Sequence, residues 1–529
     1  MLKQIIQSIA ACSLLFTLAL RAEESKPNPT TKPASNLTTK PATGPTTAQT
    51  LRAEKEVPPT GPEEAYYKII PLPIPQELVL EISGLETMPD GRLFAGTRRG
   101  DIYLVENAYA DPADKVKFTR WATGLHEIMG LAQRDGWIYA SQRGEITRLK
   151  DAGHSGHADT YETFYDGWGI KGDYHEYPMM SHFDKSGNLY VALCLTGSDV
   201  SDSPFRGWFF RITPDGKGIP IACGVRSPGA VGFNHLGEIF YTDNQGFWNG
   251  ADNFKQVTEG SFTGNPSGNK WYEEALKLNP DFGPKPPQPA SPSRWHIEAA
   301  KFPTLIPPPV MLPYKKMGQS ASGIVCDTSD GKFGPFNHQL FVADQSHSNI
   351  ARLGLEKIKG KNQGWAMPFR RGFGSGIVPM VQAADGSWFV GGTNRGWGST
   401  GSKPYSLEHL VWTGKTPFEM LDMKLQADGF ELTFTQPVDA KTATDPKSYD
   451  LSTFTYIYQS SYGSPEVDKT EPTIKNITVS ADGLKVKLVI EGLVVGSIHE
   501  LHMDGLKNAG EGKQLLHMVV YYTLWNMLN

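Results

Sequence analysis

One short pattern returns along most of this chain. An apolar strand leads into an Asp-Gly or Gly-x turn, and a second apolar strand follows with an aromatic near its centre. It reads MPDGRLFAGTRRGDIYLV around Phe94, QRDGWIYASQRGEITRL around Tyr139 and DKSGNLYVAL around Tyr190. It returns as NHLGEIFYTDNQG around Phe240, FNHQLFVADQSHSNIARL around Phe341 and AADGSWFVGGTNRGWG around Phe389. The aromatic positions are 45, 51, 50, 101 and 48 residues apart. A meander of antiparallel strands repeating at that length cannot bury its faces alone. Stacked around an axis, such units close into blades. The expected fold is all-β, a six-bladed β-propeller over residues 63–415.

The double-length interval could hold a seventh unit. However, Phe247 to Lys316 is rich in Pro, Asn, Gly and Lys and lacks the pattern, so it reads as one long insertion (about 247–316) over a face of a six-bladed ring. After Trp412-Thr413-Gly414 the texture changes. MKLQADGFELTFTQP and ITVSADGLKVKLVI alternate apolar and polar residues around Asp-Gly turns, and SIHELHM and HMVVYYTL supply further short strands. Residues 416–529 therefore read as a small β-sandwich, expected to pack or to space rather than to catalyse.

The N-terminus carries Lys3, an apolar run from Ile5 to Leu20 and a small residue at Ala22. That is the order of a secretory signal over residues 1–22, too short and too polar for a membrane span. Residues 23–62 are Thr, Pro, Lys and Ala with almost no large apolar side chain, which is the composition of a tether. A secreted or periplasmic protein is expected, without a transmembrane span. Beyond Cys12 in the signal, Cys194, Cys223 and Cys326 allow one disulfide at most and form no haem-attachment motif. A net charge of −5 spread over 529 residues gives no basic footprint for nucleic acid.

Several polar residues recur just beyond the second strand of the pattern: Arg98 and Arg99, Gln142 and Arg143, Asp243-Asn244-Gln245, Asp344-Gln345, and Asn394-Arg395. A shared register position aims them at one axial funnel. Guanidinium groups bind carboxylates in pairs of hydrogen bonds and amides bind hydroxyls, so that funnel suits an anionic or polyhydroxylated ligand. His175, in GDYHEY, is the candidate base, since a neutral imidazole accepts a proton near neutral pH. Asp173, two residues back on the same face, is its candidate orienting group. Glu176 points elsewhere. Arg226, in GVRSPGAVGFN, sits before a proline turn that would fix it at the funnel rim.

His175 before DKSGNLYV, Arg226 in VRSPGAVGF, and TDNQG together resemble the glucose/sorbosone dehydrogenase family over about Tyr66 to Thr413. GDYHEY, RGWFFRIT, YTDNQGFWNG, MGQSASGI and GGTNRGWG resemble more closely the secreted, membrane-bound dehydrogenase-like propellers of planctomycete and verrucomicrobial type. The resemblance implies a six-bladed propeller using pyrroloquinoline quinone with calcium and oxidising a carbohydrate alcohol or hemiacetal. On that likeness His175 takes the hydroxyl proton, Arg226 stabilises charge on the cofactor, and Asp243, Gln245 and Gly246 help to hold calcium. Arg143, Gln142, Asp344 and Arg395 join Arg226 around the quinone. The family's quinone-contacting lysine has no counterpart; GIVCDTS puts Asp327 near its place. With no haem motif, electrons pass to a separate acceptor. Two other readings use the same funnel: a carbohydrate- or cell-surface-binding propeller without chemistry, and a calcium-dependent hydrolase or lactonase.

Overall fold

The computed structural model describes residues 61–529. The expected signal and nearly all of the tether lie outside these residues. Six four-stranded antiparallel units account for the whole recurring pattern. Blade one holds Ile82–Thr87, Leu93–Thr97, Ile102–Glu106 and Lys117–Ala122, and blade two Leu131–Arg134, Trp137–Ser141, Ile146–Lys150 and Thr160–Tyr165. Blade three holds Pro178–Phe183, Leu189–Leu193, Trp208–Ile212 and Gly218–Cys223. The first strands of successive blades touch in a closed cycle, blade six returning to blade one. The protein is a six-bladed β-propeller followed by a β-sandwich.

The turn chemistry accounts for the hairpins. In blade two, Asp135 and Gly136 both take positive φ (52° and 78°), the conformation of a two-residue turn matched to strand twist. The second strand of each blade is packed on both faces by neighbouring blades, so it reads as a continuous apolar run rather than an alternation. Leu189–Leu193 is buried at all five positions, as are Leu93–Thr97 and Leu340–Asp344. Each such Leu or Val stabilises the ring by roughly 1.5–3 kcal/mol.

Blade six closes the ring with a strand from the other end of the fold. Ile377–Gln382, Trp388–Thr393 and Tyr405–Trp412 are completed by Tyr67–Pro71, with Ile69 opposite Leu410. The strand Tyr67–Pro71 thus ties the start of the described residues to the last blade.

Blade four corrects the reading of the long insertion. Its strands are Pro228–Phe233, Ile239–Asp243, Asp252–Val257 and Val310–Leu312, so the chain leaves the blade only after its third strand and returns to lay down the fourth. The third strand was hidden because its sequence, DNFKQV, is mostly polar, although Asn253 and Lys255 are buried. On the way out Ser261–Phe262 adds a parallel edge to blade three, and two short helices follow, Tyr272–Leu278 and Trp295–Lys301. No helix among the described residues is long and apolar enough to cross a membrane.

Blade five, Ala321–Cys326, Leu340–Asp344, Asn349–Ile358 and Lys361–Arg371, has long outer strands that run on into the sandwich. Gly364 pairs with Thr523 and Ala366 with Tyr521, so one sheet continues through Val519–Leu524, Ser497–His502, Asp450–Tyr456 and Glu466–Thr470. The second sheet is Met420–Gln426, Gly429–Phe434, Lys485–Glu491 and Thr473–Val479. Met423, Phe430, Leu432, Leu488, Leu501 and Tyr522 fill the space between them. Joined by a continuous hydrogen-bonded ladder, the sandwich is held against blade five.

Candidate functional site

In four of the six blades the residue following the second strand reaches a common cavity at one end of the ring. Arg98, Cys194, Asn244 and Gln345 occupy that position in blades one, three, four and five, and all four line one cavity of about 320 Å³. His175, Arg226, Gln245 and Arg395 line it as well. The structure therefore brings the expected base and the expected rim arginine into one site.

His175 sits on the loop before blade three, a loop shaped by two acids. Glu176 is fully buried and accepts the backbone N–H groups of Lys171, Gly172 and Asp173 at 2.7, 3.1 and 3.2 Å, plus the Ser203 hydroxyl at 2.7 Å. Asp173 accepts the backbone N–H groups of His175 and Gly197 at 2.9 and 3.0 Å. This corrects the expected role of Asp173, which holds the histidine's backbone and not its ring. A three-residue Asx-type turn satisfies its carboxylate before the imidazole can compete.

The ring is placed by packing instead. Trp397 and Tyr174 lie 5.2 and 4.8 Å from it, centroid to centroid. Nδ1 is buried without a hydrogen-bond partner against Gly197, where an added Cβ would come within 2.6 Å of it. Nε2 is left as the nitrogen that can meet a ligand in the cavity. Burial, and then the charge of Arg226, lower the imidazole's pKa below its ordinary value. His175 is accordingly neutral at pH 7 and able to accept a proton.

Arg226 is held on every side. Its backbone N–H donates to Asp243 at 3.2 Å, Nε donates to Asp199 at 2.9 Å, and Nη1 donates to the Gln245 carbonyl at 2.9 Å. The guanidinium lies flat over Gly246, where any Cβ would overlap it, and under the ring of Tyr462 at 5.4 Å. Nη2 has no protein partner and is the group offered to the cavity. Burial pushes Asp199 up to about 6 against the pull of Arg226. Asp199 went unnoticed in the sequence because nothing local links it to Arg226.

The remaining arginines are paired with carboxylates. Glu127 meets Arg98 and Arg143 at 3.3 Å each and Arg395 at 3.5 Å, while Arg395 also reaches Glu81 at 2.9 Å. Arg143 does not line the cavity: it donates to the Asp173 carbonyl and lies 4.7 Å over the Tyr177 ring, bracing the histidine loop. Gln142 is likewise absent from the cavity, buried and bonded to His126, Thr147 and Glu145. Asp344 is a third correction. As the last strand residue of its pair it turns away from the axis and accepts Gln319, Ser320 and His347 N–H groups at 2.7, 2.7 and 2.6 Å, and the next residue, Gln345, enters the cavity. Alternation along a strand makes a one-residue offset decisive.

The expected calcium donors do not fit that ion. Asp243, fully buried, accepts the N–H groups of Arg226 and Ser227 and pairs with Lys255 Nζ at 2.9 Å. Lys255, 1% exposed, also donates to Asn249 Oδ1 at 2.9 Å and to the Thr263 carbonyl at 2.8 Å. Three oxygens thus surround an ammonium, which takes the place a cation would need beside Asp243. Gln245 turns its Nε2 to the Gly250 carbonyl, and Gly246 gives its carbonyl to Gly463 N–H at 2.9 Å. Asp327 is buried against Ser329 and Gln382 and is not part of the cavity. A planar anionic cofactor finds a better match in Arg226 Nη2 and the half-exposed Arg395.

Two aromatics complete the mouth: Trp397 of blade six and Tyr462, which comes from the sandwich. A family model described as a domain of unknown function, DUF7133, matches residues 93–299. No curated protein matches the chain. Among solved structures, the chain is similar to the quinone-bound aldose sugar dehydrogenase of Streptomyces coelicolor, with 15% identity, 66% of this chain and 98% of that one covered, and a TM-score of 0.47. It is also similar to the soluble aldose sugar dehydrogenase of Escherichia coli (16% identity, 65% and 99% covered, TM-score 0.44). A carbohydrate-active enzyme of family AA12 from Trichoderma reesei gives 12% identity, 69% and 100% coverage and a TM-score of 0.47. The six-bladed ring itself rests on the strand order described above.

Proposed function

We propose that the axial cavity binds a carbohydrate and oxidises one of its hydroxyl-bearing carbons, with His175 as the base. The observation that carries this is the placement of His175. A neutral imidazole, packed against Trp397 and the edge of Tyr174 and with only Nε2 open, faces the same cavity as an arginine whose Nη2 is unpartnered.

In this reading the sugar ring lies across the mouth with its hydroxyls on Asn244, Gln245 and Gln345. His175 Nε2 takes the proton of the reacting hydroxyl as the C–H bond breaks, and the carbon's hydride leaves to an acceptor. Pyrroloquinoline quinone, when bound, would supply a two-electron acceptor, with Arg226 Nη2 and Arg395 answering its carboxylates. Arg226 is already paired with Asp199 at 2.9 Å, so it orients more than it neutralises. The arrangement calls for no calcium, and a separate partner would take the electrons onward. We also propose, from residues 1–22, that this takes place in the periplasm or outside the cell.

Dye-linked oxidation of an aldose panel, with added quinone and a calcium chelator present, tests the reading. Quinone-dependent turnover supports it. Sugar binding by calorimetry with no turnover, with or without calcium, would overturn the redox step and leave a carbohydrate-binding propeller, a reading favoured by the pairing of every other cavity arginine.

A further inference from the structure

The sandwich contributes a side chain to the cavity, and this side chain is built for contact with a ligand. Tyr462 stands at the tip of the segment joining Asp450–Tyr456 to Glu466–Thr470. That segment is stitched to the blade-four loop. Trp248 N–H donates to the Gln459 carbonyl at 2.7 Å, Gly463 N–H to the Gly246 carbonyl at 2.9 Å, and Ser460 N–H to Ser291 Oγ at 2.7 Å. Beneath it, Tyr458 is fully buried, stacked on Trp295 at 4.4 Å and bonded to the Gly264 carbonyl. The tip is therefore fixed, yet Tyr462 remains 60% exposed and lines the cavity.

An anchored, exposed aromatic at a cavity mouth offers a ligand both an apolar ring face and a polar hydroxyl. The same mouth holds a second one: Trp397, 49% exposed, beside His175. The two come from different directions, Trp397 on blade six and Tyr462 over blade four. Between them the blade-five side of the cavity presents mostly polar groups, among them Gln319, Ser320, Gln345 and Ser346. Aromatic faces suit the C–H faces of sugar rings, and amides and hydroxyls suit the hydroxyls between them.

Resting on the carbohydrate reading above, we infer that Tyr462 is a specificity-determining residue. It holds a second sugar ring while the reacting ring lies at Trp397 and His175. The substrate class is then an oligosaccharide of two or more units, not a monosaccharide.

The test is calorimetry on the full chain with glucose and galactose against cellobiose, maltose and lactose, for the wild type, Tyr462→Ala and Tyr462→Phe. The expected result is at least one disaccharide bound roughly tenfold or more tighter than either hexose. Tyr462→Ala should abolish that preference by weakening the preferred disaccharide at least fivefold more than either hexose, and Tyr462→Phe should restore the preference. Equal weakening of both classes, or no effect of Tyr462→Ala, overturns the subsite alone. A wild type that binds hexoses without preferring any disaccharide also overturns it. Failure of the wild type to bind any sugar overturns the carbohydrate reading with it.

Discussion

Replacing Lys255 by Met removes one ammonium and almost nothing else, since the aliphatic stem keeps its volume. The consequence is set by burial: Lys255 is 1% exposed and Asp243 fully buried, so no water can take over the lost hydrogen bonds. Asp243 would keep the N–H groups of Arg226 and Ser227 but lose its counter-charge, and Asn249 Oδ1 and the Thr263 carbonyl would each lose their donor. Breaking one side of a buried pair costs about 3–5 kcal/mol, whereas neutralising both sides costs much less. Lys255→Met combined with Asp243→Asn should therefore recover more than half of the loss. At about 2.1 cal/mol/K per residue, the described chain unfolds with an entropy of roughly 1 kcal/mol/K. The single variant should then melt about 3–5 °C lower in differential scanning calorimetry, with the double variant between it and wild type. Wild-type Tm should not respond to calcium or chelator. A silent Lys255→Met, or a calcium-induced rise in wild-type Tm that Asp243→Asn abolishes, would refute the claim that the lysine fills the cation position.

Three further predictions use other parts of the structure. Gly246→Ala should displace Arg226 from Asp199, because the added methyl overlaps the guanidinium; sugar affinity by calorimetry should fall about tenfold or more with little change in fold, a loss of roughly 1.4 kcal/mol or more. The kcat/KM of the oxidation should lose its acid limb at a pH below the ordinary 6.5 of histidine, since burial and Arg226 lower the His175 pKa and only the neutral ring accepts a proton; a pH–rate profile checks this. His517 is clasped by Glu419 at 2.7 Å and Glu63 at 3.4 Å; burial works against its charge, but the two carboxylates hold its pKa at about 8. A raised histidine stabilises fully below the unfolded value near 6.5 and loses that contribution as pH climbs through 8, so roughly 2 kcal/mol should fade over that window and His517→Gln should flatten the melting-versus-pH curve.

The ring was legible in the sequence because each blade repeats its turn and its fully buried second strand, as around Tyr190 and Phe341. The outer edge of blade four was not, since Val310–Leu312 returns from a long excursion and Lys255 and Asn253 disguise the strand before it. Within the site, Arg98, Gln245 and Arg395 followed from register, while Asp344 and Gln345 exchanged places through the two-residue period of a strand. Asp199, Lys255 and Tyr462 were invisible for a different reason. Each acquires its role from a partner brought by the fold: Arg226 for Asp199, Asp243 for Lys255, and the blade-four loop for Tyr462.

His175 is proposed to remove a proton from a sugar bound in the axial cavity. The most direct test is a single-turnover experiment: quinone-loaded protein mixed with sugar in the absence of any electron acceptor, comparing wild type with His175→Gln. Wild type should show sugar-dependent bleaching of the quinone absorbance. In His175→Gln the rate should fall by roughly 10²–10⁴, with sugar affinity nearly unchanged. Sugar bound without bleaching in wild type, or equal rates in the two proteins, would contradict it.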